Sequence, residues 1–410
     1  MRSTRLHKLA TDESGFSLVF VGFGCLAFVA ASMLAIDVGM LMTARTQAQN
    51  AADAGALAGA TSLAFDSWDD RSPTGPAVVR AIATAQLNKV MDEAPSVLPE
   101  DVQFLPDPTS GAMDRVKVTV WRNTARGNPV STLIAQYFGI KTADISATAT
   151  AEVSPANAMT CVKPFTIPDR WIEWSTKKQS QPGDLFERYG KKGVLLANPD
   201  EYRPAYLEPP PDGRTPNPDY SGYNIPMSST SAGSQTESSL GKELVLRAGQ
   251  GGNIAPGMYY SLAMTDDTGG QDYRWNIANC NHKIYHWGDP LVQEPGSMEG
   301  PTVQGIQELI ARDPNAEWGP NNTVINGDPK FGNQSPRVFP IPLFDPDYYT
   351  YGKETGRVAS LRVANWIGFF VEYVGSGSEI HGRIIPIAGI RDKTFSGGTD
   401  AFPKAIRLVQ

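Results

Sequence analysis

One uncharged segment near the N-terminus constrains this chain more than any other feature of its sequence. No charged residue occurs between positions 14 and 36. A helix over residues 16–36 would be roughly 31 Å long, which matches the hydrocarbon core of a bilayer. The segment therefore predicts a transmembrane helix in contact with lipid. The side chains predicted to anchor it are Phe16, Leu18, Val19, Phe20, Leu26, Phe28, Val29, Leu34 and Ile36.

The charges on either side of this segment predict its orientation. Arg2, Arg5 and Lys8 precede it, whereas Asp37 is the first charge after it. Positive residues favour the cytoplasmic side, so the N-terminus is expected in the cytoplasm and everything beyond Asp37 outside it. A cleaved signal peptide is the alternative, with Ala30–Ala31–Ser32 as its cleavage site, but the apolar sequence continues past that point.

Composition excludes one large class of partners. The chain has 410 residues, of which 41% are hydrophobic and 19% charged, so it is long and apolar enough for two or three globular domains. Its formal net charge is −7, and no cluster of lysine and arginine interrupts the sequence. Nucleic acid is therefore not an expected partner. No small-molecule substrate is indicated either.

A stripe of small residues runs along the predicted helix and continues beyond the membrane. Steps of three and four residues place its members on one face, which lets another backbone come close. That face packs either on similar helices of other subunits or on a domain of the same chain, and the sequence leaves both open. The predicted packing face consists of Ala27, Ala31, Ala35, Gly39, Ala44, Ala48, Ala51, Gly55, Ala58 and Ser62.

The stretch AIDVGMLMTARTQAQNAADAGALAGA resembles the N-terminal segment of TadG-like proteins of the TadE/TadG family. These belong to the tight-adherence (Flp) type IV pilus assembly system of bacteria. The resemblance rests on the Ala-Ile-Asp-Val-Gly exit from the apolar helix, the arginine that follows, and the spacing Gln-x-x-Ala-Asp-Ala-x-Ala-Leu-Ala-x-Ala. It is strong over about the first 65 residues and looser as far as about residue 154.

The resemblance implies a single-pass inner-membrane protein with a periplasmic or extracellular domain. Its expected role is structural, in pilus biogenesis and cell adhesion, through contacts with other pilus-assembly membrane proteins or minor pilins. Pilin-like relatives are cut after a glycine and carry a glutamate five residues further on. Gly15 matches that glycine, but the fifth position is Phe20, which favours a protein that stays in the membrane.

Other TadG-like proteins carry a metal site of the form Asp-x-Ser-x-Ser. The nearest such string here that fits a strand runs from Asp144 to Thr148. Alternation along a strand would place Asp144, Ser146, Thr148 and Thr150 on one face, and a solvated sheet face accounts for that pattern. The sequence therefore predicts no metal site here.

The predicted fold class is α+β, with four successive regions. They are a cytoplasmic tail (1–15), the transmembrane and extended alanine-rich helix (16–65), a small α+β pilin-like domain (66–154) and a mostly β external domain (155–410). Periodicity in the small domain predicts helices over 76–93 and 129–138 and strands over 116–121 and 145–153. In the last region it predicts short strands, a helix over 302–312 and a hairpin near the C-terminus.

Two of the three cysteines predict a disulfide. Cys161 and Cys280 both follow the membrane segment, and thiols exported together normally oxidise. Two separate reduced thiols are the alternative, expected only if this region faced the cytoplasm. Cys25 lies inside the apolar span and reads as a packed thiol.

An anchored periplasmic hydrolase or metal-dependent adhesin is the alternative function. His282 and His286 stand four apart in CNHKIYH, and an acidic loop over 266–272 begins with Asp266. The histidine spacing suits zinc only on a helix, and the loop lacks the full pattern of a calcium site. Nucleophile-elbow, phosphate-loop and zinc-protease motifs are absent from the sequence. The sequence thus predicts no catalytic, cofactor-binding or metal residue.

Overall fold

A computed structural model describes residues 14–108, 111–204, 221–223, 238–249, 253–264, 268–331, 335–356, 360–392, 394 and 402–409. The chain divides into two compact units. The N-terminal unit comprises residues 1–152 together with 407–410, and the C-terminal unit comprises residues 153–406. Nothing in the sequence indicates that the last residues belong with the first unit.

The helices are α1 (Ser14–Phe65), α2 (Pro76–Leu87), α3 (Gly270–Ala278), α4 (Glu299–Arg312) and α5 (Pro346–Glu354). The strands of the N-terminal unit, with the two that cross its boundary, are β1 (Val102–Leu105), β2 (Arg115–Arg122), β3 (Val130–Ser131), β4 (Thr142–Ala143), β5 (Ile145–Pro155) and β17 (Lys404–Val409). Those of the C-terminal unit are β6 (Ala158–Met159), β7 (Phe165–Pro168), β8 (Glu243–Ala248), β9 (Met258–Ser261), β10 (Tyr285–His286), β11 (Pro290–Leu291), β12 (Glu317–Trp318), β13 (Val324–Ile325), β14 (Val338–Phe344), β15 (Leu361–Val374) and β16 (Ile380–Ile385).

The N-terminal unit packs two helices on one face of a sheet with strand order β1-β2-β5-β17. β2 alternates between buried and half-buried residues, as the sequence pattern predicts for a strand with one covered face. It pairs antiparallel with β1 and with β5. Arg407 of β17 donates to the buried carboxylate of Glu152 at 2.9 Å, which ties the C-terminal residues into this unit.

Small residues allow α1, α2 and β2 to approach closely. A Cβ atom added at Gly55 would lie 2.9 Å from the Cβ of Ala85, and one added at Gly59 would lie 2.9 Å from Cγ1 of Val116 and 3.1 Å from the Cβ of Ala81. Neither contact leaves room for a side chain. The close approach gains dispersion contacts along the whole outer half of α1.

The helix predicted over residues 129–138 is wrong. The structure has strand β3 and then a single 3₁₀ turn, Ala135–Phe138. The backbone N–H of Thr132 donates to the carbonyl of Lys141 at 3.0 Å, which closes the segment as a loop instead of a helix. The helix predicted over 76–93 ends earlier, at Leu87.

The C-terminal unit contains a closed barrel of six strands. Going round it, the strands are β15, β14, β7, β9, β8 and β16, and β16 pairs back onto β15. β14 with β7 and β8 with β9 are parallel pairs, and the remaining pairs are antiparallel. Strand β11 pairs antiparallel with the first two residues of β15. Closure removes free sheet edges, so these short strands need no further partner.

The barrel encloses an aromatic and aliphatic core, and helices α3 and α4 extend it. Phe165, Leu246, Ile341 and Phe369 are fully buried in one cluster. Gly305 of α4 lies against α3, where an added Cβ atom would lie 2.8 Å from Ile277. The predictions of a mostly β second region, a helix ending at Arg312 and a hairpin near the C-terminus, seen as β15 and β16, are confirmed.

The close packing of α1 generates a stability prediction. Gly59→Leu should lower the free energy of unfolding of the N-terminal unit by about 1–3 kcal/mol, because the added side chain overpacks the contact with Val116 and Ala81. The measurement is the urea concentration at which this unit of the detergent-solubilised protein becomes sensitive to protease. Asn50→Leu, at an exposed position of the same helix, should change that free energy by less than about 0.5 kcal/mol. Equal effects of both variants would contradict the packing argument.

Candidate membrane anchor and interaction surface

The first half of α1 exposes large apolar side chains. From Leu18 onward the helix is long and apolar enough to cross a membrane. Its most apolar stretch of 18 residues is not covered by any other part of the described chain. The predicted anchor residues are between 45% and 75% exposed, except Phe16, whose side chain lies outside the described residues. Exposure on this scale fits a lipid-facing helix rather than a core helix.

The stripe of small residues divides into two halves. Ala27, Ala31, Ala35 and Gly39, in the membrane half, are exposed. The outer half lies against the chain's own α2 and sheet, so of the two alternatives left open by the sequence, the structure shows packing on the same chain. Its members are Ala44, Ala48, Ala51, Gly55 and Ser62, which are buried, and Ala58, which is half-buried.

The carboxylate of Asp37 holds a distant loop. Asp37 is the first residue beyond the apolar span, yet its side chain is only 4% exposed. The backbone N–H of Leu133 donates to Oδ1 at 2.8 Å, that of Ile134 donates to both oxygens at 3.1 Å, and that of Ala135 donates to Oδ2. The carboxylate thus binds three successive amides, as a side-chain cap does at a helix N-terminus.

Those amides favour the ionised form of Asp37. Burial alone would raise the pKa of its carboxyl group, but the hydrogen bonds from Ala135, Leu133 and Ile134 outweigh burial and hold that pKa below its ordinary value. A lowered pKa in the folded state means that the stabilisation is complete above the unfolded-state value of about 3.9 and is lost as the pH falls through the folded-state value. The loop attachment is therefore stable at neutral pH.

The attached loop carries an exposed apolar turn that sequence reasoning missed. Leu133, Tyr137, Phe138 and Ile140 are between 56% and 83% exposed. A groove of about 350 Å³ lies on another side of α1, between Val38, Leu41, Met42 and Arg45 of the helix and strands β4 and β5. The available signal was the presence of five large apolar residues within positions 133–140, but an amphipathic helix explained it equally well.

The C-terminal unit contains the predicted disulfide. Cys161 and Cys280 are joined, with their Cα atoms 4.4 Å apart and a sequence separation of 119. The bond closes a long loop, which by chain entropy alone stabilises the folded unit by roughly 4–5 kcal/mol. His282 lies beside it, with Nδ1 at 3.6 Å from Sγ of Cys280.

Among the described residues, one group of side chains has the spacing of metal ligands, but the disulfide takes up the two thiols that such a site would need. That grouping consists of Cys161, Cys280 and His282, and disulfide sulfurs are not thiolate ligands. His286 lies in strand β10 rather than on a helix, and its Nε2 atom is 3.2 Å from Oδ2 of Asp392. Asp266, the first residue of the acidic loop, lies outside the described residues.

The Asp144 segment forms a solvent-facing strand, as predicted. In β5, Ile145 and Ala147 are buried, whereas Ser146 and Thr148 are exposed. The carboxylate of Asp144 accepts hydrogen bonds from the backbone N–H of Thr124 at 2.8 Å and from its hydroxyl at 2.9 Å. These hydrogen bonds join Asp144 to the turn at Thr124.

Residues 15–62 match the Tad family model, described as "Putative Flp pilus-assembly TadE/G-like". The N-terminal helix is TadE/G-like. The match confirms the family resemblance, and it covers the apolar half of α1 and nearly all of its alanine-rich half. Comparisons with curated proteins and with solved structures gave no match. The TadE/G-like segment thus coincides with the helix that is long and apolar enough to cross a membrane.

The Asp37 contact generates a second prediction. Asp37→Ala should speed hydrogen–deuterium exchange of the amides of residues 133–135 by about tenfold or more, because they lose a charge-assisted acceptor. The same increase should appear in the unaltered protein as the pH falls below about 3.9 and through the lowered folded-state pKa of Asp37, after correction for the intrinsic pH dependence of exchange. Asp53→Asn on the same helix is the control and should leave this segment unchanged. Protection that persists in Asp37→Ala would show that the carboxylate does not hold the loop.

Proposed function

We propose that this chain is a non-catalytic structural component of a bacterial Flp pilus assembly system, anchored in the inner membrane by α1. Its N-terminus lies in the cytoplasm, and everything beyond Asp37 lies outside it. The observation that carries the proposal is the coincidence of the Tad match at residues 15–62 with a helix whose first half exposes apolar side chains.

Two further observations support the external placement of everything beyond Asp37. The Cys161–Cys280 disulfide fits an oxidising compartment such as the periplasm, because disulfides rarely persist in the cytoplasm. Arg2, Arg5 and Lys8 precede the span, whereas a carboxylate, Asp37, follows it.

The membrane half of the small-residue stripe is the proposed contact with other pilus proteins. An added Cβ atom at Gly39 would meet nothing within 4 Å, and Ala31 and Ala35 are exposed on the same face. Helices in lipid associate through faces of this kind, because the small side chains let two backbones approach. The outer half is already occupied by the chain's own α2 and sheet, so it is not proposed as a contact.

A reporter fusion tests the orientation. An enzyme that is active only outside the cytoplasm, fused after Gln410, should be active in intact cells. The same enzyme fused ahead of Met1 is the matched control and should be inactive. The reverse pattern, with both fusion proteins present at equal amounts, would overturn the proposed topology.

Cysteine crosslinking tests the partner contact. In a Cys25→Ser background, cysteines placed at Ala31 and Ala35 should crosslink to a membrane protein of the pilus system in cells that make pili. Val29→Cys is the control, because two residues correspond to about 200° of helix rotation and place Val29 opposite Ala31. Mass spectrometry identifies the adducts. Equal adduct yields from all three positions, or none from Ala31 and Ala35, would contradict the proposal.

A further inference from the structure

The turn at residues 133–140 exposes more large apolar side chains than a short soluble loop ordinarily does. Tyr137 is 83% exposed and Phe138 69%, and Leu133 and Ile140 are more than half exposed. Only Gln136 and Gly139 interrupt the apolar sequence of this turn after Ala135. An exposed apolar cluster of this size marks a surface that contacts a membrane or another molecule.

The position of the turn identifies what covers it. Asp37 directly follows the apolar span, and its carboxylate accepts hydrogen bonds from the amides of Leu133, Ile134 and Ala135. Tyr137 is two residues beyond Ala135, so its Cα atom lies within about 7–8 Å of that contact. The start of the apolar turn is therefore fixed at the level where α1 leaves the hydrocarbon core.

The bilayer at that level has a chemistry that fits these residues. Between the hydrocarbon core and bulk water lies a headgroup region of roughly 5–7 Å on each side. Tyrosine is enriched there because its ring is apolar and its hydroxyl is polar. Lys141, which follows the turn, is exposed and carries a charge that suits the phosphates of the headgroups.

We propose that the turn at residues 133–140 inserts Tyr137, Phe138 and Ile140 into the headgroup region of the same leaflet through which α1 leaves the bilayer. The N-terminal unit is then held to the membrane at two points, the helix and the turn, which limits its tilt. Asp37 is a positioning residue for this contact. The inference rests on the proposed anchoring of α1.

Depth-dependent fluorescence quenching tests the inference on the full chain. The unaltered protein carries an environment-sensitive dye on Cys25, the free cysteine in the span. Two further proteins, in a Cys25→Ser background, carry it on Tyr137→Cys and on Ile140→Cys. All are reconstituted in vesicles of phosphatidylethanolamine and phosphatidylglycerol. The vesicles contain no nitroxide, a phospholipid with a nitroxide near the top of its acyl chain for residues 79, 137 and 140, or one with a nitroxide near the end of its acyl chain for residue 25.

Val79→Cys is the matched soluble-side control. Val79 is half exposed, and the neighbouring Arg80 contacts Asp66 at 3.8 Å. Asp66 follows α1 and lies roughly 43 Å along the helix direction from Asp37, well outside the headgroup region.

If the turn lies in the headgroup region, nitroxide quenching at residues 137 and 140 should be several-fold stronger than at residue 79. Quenching at residue 25 reports anchoring by itself. If residue 25 is quenched but residues 137 and 140 resemble residue 79, the turn does not contact lipid and the inference fails while anchoring stands. A blue-shifted but unquenched dye at residue 137 would assign the turn to a second copy of the chain and also overturn it. No quenching at residue 25 would overturn the anchoring and the inference together.

Discussion

The N-terminal unit depends on a single helix that meets two different environments without a break. Over its first half, α1 exposes large apolar side chains, as a helix in contact with lipid does. Over its second half, the buried positions are alanine and glycine, so that α2 and β2 reach nearly to the helix backbone at Gly55 and Gly59. The side chains, and not the backbone, distinguish the two halves, because both have the backbone hydrogen bonding of one continuous helix.

Asp37 marks the change between these environments. A carboxylate at the edge of an apolar span needs strong donors if it is to remain ionised when buried, and three successive amides supply them. The same hydrogen bonds explain why residues 133–138 form a capped turn rather than the helix their sequence predicts. One side chain therefore determines both the end of the span and the position of an exposed apolar turn beside it.

The C-terminal unit is stabilised by the closure of its sheet into a barrel. The barrel joins β16 back to β15 and buries aromatic side chains such as Phe165 and Phe369, while the Cys161–Cys280 bond restrains a loop of more than a hundred residues. The individual strands were predictable from short apolar runs between turns. Their order was not, because the pairing of β7 with β14 or of β8 with β16 joins segments more than a hundred residues apart.

The sequence by itself determined the features that are written in local spacing: the length of the apolar span, the small-residue face, the alternation along β2 and β5, and the TadE/G-like character of residues 15–62. The disulfide was also predictable, since only two cysteines lie beyond the span. Only the tertiary structure decided which partner covers the outer half of that face, which amides Asp37 binds, how the barrel closes, and that Arg407 returns to Glu152. Each of these is a contact between distant positions, and the free energy of such contacts depends on shape and desolvation in three dimensions, which periodicity along the chain does not encode.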